Sequence, residues 1–188
     1  GSPFSAPILW LGRALGSAFP SPNAPREYEN SRVSLGLNGT LSNGFDWDVH
    51  YTVSEQDSYY FQPDTSTSRF DAAVNGAGGA TGTESWNLFD PSANSAALIA
   101  YISSGEERNL VADLSVMDVL FTGTTKNNVD IATGFQWKKE GFEITRNDES
   151  KAVFDADGNI VQQSDLIFLG GGLENKDSRD SKAMFVEA

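Results

Sequence analysis

The chain has 188 residues, with 26 acidic against 13 basic side chains, a net charge of −13, no cysteine and one histidine. That field repels a polyanion, so nucleic-acid binding is disfavoured; disulfides, thiol catalysis and thiolate metal sites are excluded, and His50 alone rules out a multi-histidine zinc site. Eighteen glycines and 11% aromatic residues suit strands and long polar loops better than a helix bundle.

In chain order, residues 1–30 are rich in Pro, Ser and Ala and read as loop, with one short strand over Ile8-Leu9-Trp10-Leu11. A clearer signal follows. Val33, Leu35, Leu37, Gly39 and Leu41 share one parity, and Ser34, Gly36, Asn38 and Thr40 share the other. Strict alternation predicts a strand with one apolar and one polar face. Ser42-Asn43-Gly44 predicts a tight hairpin turn, because Asn and Gly both tolerate positive φ. Phe45, Trp47, Val49, Tyr51 and Val53 then alternate with Asp46, Asp48, His50, Thr52 and Ser54. Each strand has the length of a membrane-crossing β-strand, about 9–11 residues.

A long connection is expected over residues 55–109. Within it, residues 68–74 predict a short helix stopped by Asn75-Gly76, and the Gly/Ala-rich stretch 76–82 reads as flexible. Asn94 or Ser95 is placed to cap a second helix over residues 96–102. A third strand is expected from about Leu110 to Thr124, with a bulge where the alternation slips at Met117-Asp118. Lys126-Asn127-Asn128 marks another tight turn. In the fourth strand Val129, Ile131, Thr133, Phe135 and Trp137 oppose Asp130, Ala132, Gly134, Gln136 and Lys138, and the pattern continues toward Ile144. A second long loop spans 146–182, with a small hairpin at residues 152–161. Residues 183–188 open a further strand pattern, so more sequence is expected beyond it.

The predicted fold is therefore all-β: an antiparallel meander of β-hairpins, a partial barrel, with long loops carrying short helices. Residues 1–188 are expected to form a single β-barrel segment. No stretch approaches the roughly 20 apolar residues of a transmembrane helix, but barrel strands alternate and show weakly in hydropathy. Short turns alternating with long loops are the pattern of an outer-membrane barrel. Periodicity alone does not separate that case from a soluble sandwich.

Several constellations carry possible chemistry. Asp48 and His50 share a strand face, and a serine from elsewhere would complete a hydrolytic triad, although no G-x-S-x-G elbow accompanies them. Asp155-Ala156-Asp157-Gly158-Asn159 resembles the start of a calcium loop, yet its twelfth position is Leu166 where a bidentate Glu is required. The glycines of 76–82 lack the lysine of a phosphate cradle. Tyr59, Tyr60, Phe61, Trp86 and Phe89 are candidates for stacking on a small-molecule ligand; the alternative is that they pack a core of the loop itself. No metal site and no cofactor are expected.

The order of motifs resembles the barrel of TonB-dependent outer-membrane receptors. Leu11-Gly12-Arg13, Arg32 opening a strand and Phe45-Asp46-Trp47-Asp48 are similar to their first hairpins. Phe70-Asp71-Ala72-Ala73-Val74-Asn75-Gly76-Ala77-Gly78-Gly79, Trp86-Asn87-Leu88-Phe89, Asn94-Ser95 and Tyr101-Ile102 resemble their long loop. Asp113-Leu114, Gly134-Phe135-Gln136-Trp137-Lys138-Lys139-Glu140, Leu169-Gly170-Gly171-Gly172 and Ala183-Met184-Phe185-Val186-Glu187 keep the same order. The resemblance covers roughly residues 7–188; a cysteine pair common in the loop of relatives is replaced here by Thr81-Gly82-Thr83, and no plug, TonB box or C-terminal strand is recognisable. It implies a segment of an outer-membrane receptor in a Gram-negative bacterium. Such a receptor engages a siderophore, vitamin or oligosaccharide. This segment would not transport alone, and would use the outer membrane or self-association through its strand edges. A soluble β-rich small-ligand module and a serine-type hydrolase using His50 are the competing expectations.

Overall fold

The computed structural model describes residues 9–16, 19 and 22–188. Ile8, the start of the first expected strand, lies outside the described residues, and residues 9–11 form no strand. The fold is an antiparallel five-stranded sheet in simple meander order, not closed into a barrel, with two short helices and a separate two-stranded hairpin in the connections. The sheet holds β1 (Arg26–Thr40), β2 (Asp46–Thr65), β3 (Ser103–Thr124), β4 (Asp130–Arg146) and β7 (Asn175–Glu187); β5 (Val153–Phe154) pairs with β6 (Ile160–Gln162).

The strands run further than hydropathy suggests. β2 and β3 leave a connection of residues 66–102, shorter than the expected 55–109, and β7 begins eight residues before Ala183. The reason is chemical. The ladder continues from Ser31 opposite Glu55 to Arg26 opposite Tyr60, and from Gln136 opposite Ala183 to Ile144 opposite Asn175. Both faces are polar there, so the strand survives while the alternation that reveals it vanishes. The expected bulge is absent from the β3–β4 pairing. Met117 opposes Trp137 and Asp118 opposes Gln136 in unbroken register.

The three hairpins share one turn geometry. The residue before each loop donates its N–H to the carbonyl of the residue after it: Leu41 to Phe45, Thr125 to Val129 and Asp155 to Asn159, at 2.7, 2.8 and 2.9 Å. The third loop residue is left-handed in each, Gly44 at φ 86°, Asn128 at 56° and Gly158 at 84°. This is the three-residue loop closed by a left-handed residue, whose twist matches that of the strands. Asn43 is not among the positive-φ residues, so Asn43-Gly44 uses one left-handed position and not two.

The chain divides into two compact units. The sheet unit comprises residues 25–60, 107–146 and 173–188. On β1 and β2, Val33, Leu35, Leu37 and Gly39 face Val53, Tyr51, Val49 and Trp47, all on one side; Ser34, Gly36, Asn38 and Thr40 face Thr52, His50, Asp48 and Asp46 on the other. On β3 and β4 the same division puts Met117, Val119 and Phe121 with Trp137, Phe135 and Thr133, and extends to Met184 and Val186 on β7. No second layer covers this apolar side among the described residues: Leu37 is 70% and Met184 81% exposed.

The loop unit comprises residues 1–24, 61–106 and 147–172. Helix α1 (Thr67–Val74) is capped by Ser66, whose side chain accepts the Arg69 N–H. Helix α2 (Ala96–Ile102) is capped by Ser95, not Asn94, and Ser95 accepts the Leu98 N–H at 3.0 Å. Their apolar faces meet in a small core of Ala14, Ala73, Trp86, Leu98 and Ile102. The glycine stretch expected to be flexible is folded: Gly78 and Glu84 exchange backbone hydrogen bonds at 2.8 and 2.9 Å. Gly171, at φ 61°, lies so close to Ser150 that a Cβ there would overlap the Ser150 carbonyl oxygen.

Candidate functional site

The polar face of the sheet unit concentrates its side-chain hydrogen bonding. Ser34 and Thr52 pair at 2.6 Å, Thr40 donates to Asp46 at 2.6 Å, Thr124 donates to Asp130 at 2.6 Å, and Gln136 donates to Asp118 at 2.7 Å. Glu140 binds Lys138 and Arg179, each at 2.5 Å. These groups come from all five strands: even-numbered residues share a side within β1–β2 and within β3–β4, the odd-numbered Arg179 of β7 falls opposite Glu140, and Arg108 over the Tyr60 ring puts the two pairs on one side. Two shallow hollows lie on this face. One, of about 350 Å³, is lined by Asn38, Thr40, Asp46, Asp48, Leu120 and Thr122 among others; the second, of about 460 Å³, includes Asn30, Arg32, Gln56 and Glu140. The face offers many donors and acceptors and no cluster of three or more metal-ligating side chains among the described residues. That suits reversible hydrogen bonding to a polar solute.

Asp48 and His50 do meet. Asp48 Oδ1 lies 2.6 Å from His50 Nε2, and the ring lies across Gly36, where a Cβ would come within 2.5 Å of it. The glycine gives the imidazole its place. No serine hydroxyl is hydrogen-bonded to His50 among the described residues.

The five aromatic candidates are dispersed. Trp86 is 5% exposed and packs edge-on against Phe70, ring centres 6.2 Å apart, inside the loop-unit core. Phe61 is half-buried against Gly105, where a Cβ would come within 2.6 Å of its ring. Phe89 is 67% exposed. Tyr59 and Tyr60 are consecutive on β2 and so point to opposite sides of the sheet. Tyr59 shares the side of Glu27, opposite it on β1. Tyr60 lies on the polar side, flanked by the guanidinium carbons of Arg26 and Arg108 at 5.0 and 5.3 Å from its ring centre. These arginines escape a reading of sequence alone, because 34 and 48 residues of chain separate them from Tyr60. Strand register is the signal that would have found them.

In the loop unit the carboxylates are engaged in structure. Asp64 accepts the N–H groups of Thr65, Phe168 and Leu169 at 2.6, 2.9 and 2.7 Å. Asp165 accepts from the Ser66 hydroxyl, the Ser68 hydroxyl and the Ser68 N–H at 2.5, 2.8 and 2.7 Å. Burial pushes the Asp165 carboxyl up, and these bonds with nearby Arg69 more than offset it, so it titrates below the ordinary carboxylate value. Asp155 is held low chiefly by the Asn159 side chain and by the N–H groups of its own turn. Its oxygens close a hairpin, in keeping with the failed calcium pattern.

No family model, no curated protein and no solved structure matches the chain.

Proposed function

We propose that this chain is a wall segment of an outer-membrane receptor of the TonB-dependent kind, with the apolar side of its sheet toward lipid and the polar side toward the lumen. The observation that carries the reading is the uncovered apolar belt of the sheet unit. From Val33 to Leu41 it spans eight strand steps of about 3.4 Å, roughly 21 Å in height at the usual barrel tilt. That is close to the apolar band of about 25 Å of such barrels. Aromatic residues stand within the belt at Trp47, Tyr51, Phe121, Phe135 and Trp137. Beyond it the same side turns acidic, with Glu27, Glu29, Glu55 and Asp57. Three-residue turns join β1 to β2 and β3 to β4, whereas connections of dozens of residues join β2 to β3 and β4 to β7. In this reading the long connections belong to the extracellular side and bind or admit a small ligand of the siderophore, vitamin or oligosaccharide class. Uptake requires parts of a receptor that this segment does not supply.

The test is partition. Mixed with preformed liposomes and centrifuged through a density step, the chain is expected to float with lipid and to need detergent for extraction. A monomer that stays in detergent-free buffer with a cooperative melt would refute the wall reading and favour the soluble ligand-binding module.

A further inference from the structure

On the polar side of the sheet unit many facing groups bind each other. Ser34 bonds Thr52, Thr40 bonds Asp46, Gln136 bonds Asp118, and Glu140 is held by Lys138 and Arg179. One place differs. Asn30 lies opposite Gln56, and their side-chain amides make no hydrogen bond among the described residues. The hollow of about 460 Å³ opens between that pair and the next one along the strands, Arg32 opposite Ser54. It continues over β3 and β4, where Ala112, Leu114 and Glu140 form its walls. It is therefore a groove across four strands, about 14 Å from β1 to β4 at roughly 4.8 Å per strand.

The two halves of the groove differ in chemistry. Amides and a hydroxyl line the β1–β2 half, whereas Ala112 and Leu114 make the β3 wall apolar. An exposed ring flanks each end. Tyr28 stands two residues from Asn30 on the same side of β1 and is 65% exposed; Phe142 lies opposite Ala112 on β4 and is 38% exposed. The walls themselves carry one charge of each sign, Arg32 and Glu140. A sugar ring matches this combination. Its edge carries hydroxyls that both donate and accept, as amide side chains do. Its faces carry C–H groups that suit aromatic rings and aliphatic walls. A groove of this length suits a short linear chain of such rings.

We propose that this transverse groove binds a short, neutral, linear oligosaccharide, with Asn30 and Gln56 bonding its hydroxyls while Tyr28 and Phe142 meet its C–H faces. The proposal rests on the reading of this side as the ligand-facing wall, and it narrows three ligand classes to one.

The experiment uses the full chain in micelles of a sugar-free detergent, with maltotriose, cellotriose and chitotriose as probes and calorimetry as the readout. Ferrioxamine B and cyanocobalamin represent the other two classes. Saturable binding of at least one trisaccharide is expected, tighter than that of either alternative. Asn30→Ala and Gln56→Ala should each weaken it about 2- to 10-fold, the range of one neutral hydrogen bond. Phe142→Ala should weaken it by a similar factor, the range of an aromatic contact, while Ser115→Ala on the opposite side leaves it unchanged. Salt should move the affinity by no more than about twofold, because no net charge is recognised. No trisaccharide binding, tighter binding of ferrioxamine B or cyanocobalamin, or a steep fall with salt overturns the proposal. So do Asn30 and Gln56 variants that bind as the parent does. If an alanine variant loses its strand signal in circular dichroism, Gln56→Met keeps the side-chain length without the amide, and unchanged binding in it overturns the proposal. A chain that floats with liposomes yet binds no trisaccharide refutes the groove alone. One that binds a trisaccharide as a detergent-free monomer refutes the membrane wall alone.

Discussion

Leu37→Arg separates the membrane reading from the aqueous one most sharply. Leu37 sits midway along the apolar belt, opposite Val49, four residues from Val33 and four from Leu41. In the structure it is largely exposed and supports no core. If its surroundings are water, replacing it with arginine changes stability by no more than about 0.5 kcal/mol. If they are lipid, an arginine near the middle of a barrel's apolar band costs about 2–4 kcal/mol. That corresponds to roughly a 30- to 700-fold shift in the folding equilibrium. Ser31→Arg is the control, on the same strand and the same side but beyond the belt, where the cost falls to about 0–1 kcal/mol. Urea unfolding from liposomes, followed by tryptophan fluorescence, measures both. The expected result is a large loss for Leu37→Arg and little for Ser31→Arg. Equal, negligible effects would refute the assignment of this side to lipid.

Three further substitutions address the loop unit. Gly171→Ala forces a left-handed backbone and overlaps Ser150, so a loss of about 2–5 kcal/mol is expected in thermal or urea unfolding of the loop unit. Trp86→Ala empties the small core and should cost about 3–5 kcal/mol, whereas exposed Phe89→Ala should change stability by less than about 0.5 kcal/mol; the reverse order in unfolding would place Trp86 on a ligand surface. Asp165 is depressed in the folded chain, so its stabilisation is complete above the ordinary carboxylate value and is lost as pH falls through the folded one. Asp165→Asn should therefore lower stability at neutral pH by about 1–3 kcal/mol and flatten the acid limb below about pH 4, read as near-ultraviolet circular dichroism melts across that range.

Legibility followed the contrast between the two faces. Where Val33 to Leu41 alternates with Ser34 to Thr40, sequence predicts both the strand and its sidedness, and the structure agrees. At residues 29–32, 54–58 and 175–182 both faces are polar, and the same ladder goes unannounced. The cap of the second helix was readable because Ser95, one of two candidates, lies just ahead of the apolar run 96–102, whereas the Ser66 cap of the first helix was not, because polar Thr67, Ser68 and Arg69 follow it. The glycine loop at 76–82 was misread because composition suggests mobility, whereas those glycines satisfy left-handed turns and the close approach of Gly78 to Ala73. The aromatic candidates divided by position. Trp86 sits in a core, and Tyr60 owes its interest to arginines on neighbouring strands that only register brings near.

The edges of the sheet press the same question from another side. β1 and β7, of 15 and 13 residues, each pair on one side only. In lipid every unpaired backbone group costs several kcal/mol, and the smallest known membrane barrels use eight strands, so five cannot stand alone there. In water an edge carrying Val33, Leu35 and Leu37 is a template for joining another chain. Lipid therefore requires strands beside β1 and β7, from a larger closed sheet or from copies of this chain, whereas in water the open edges favour association without requiring it.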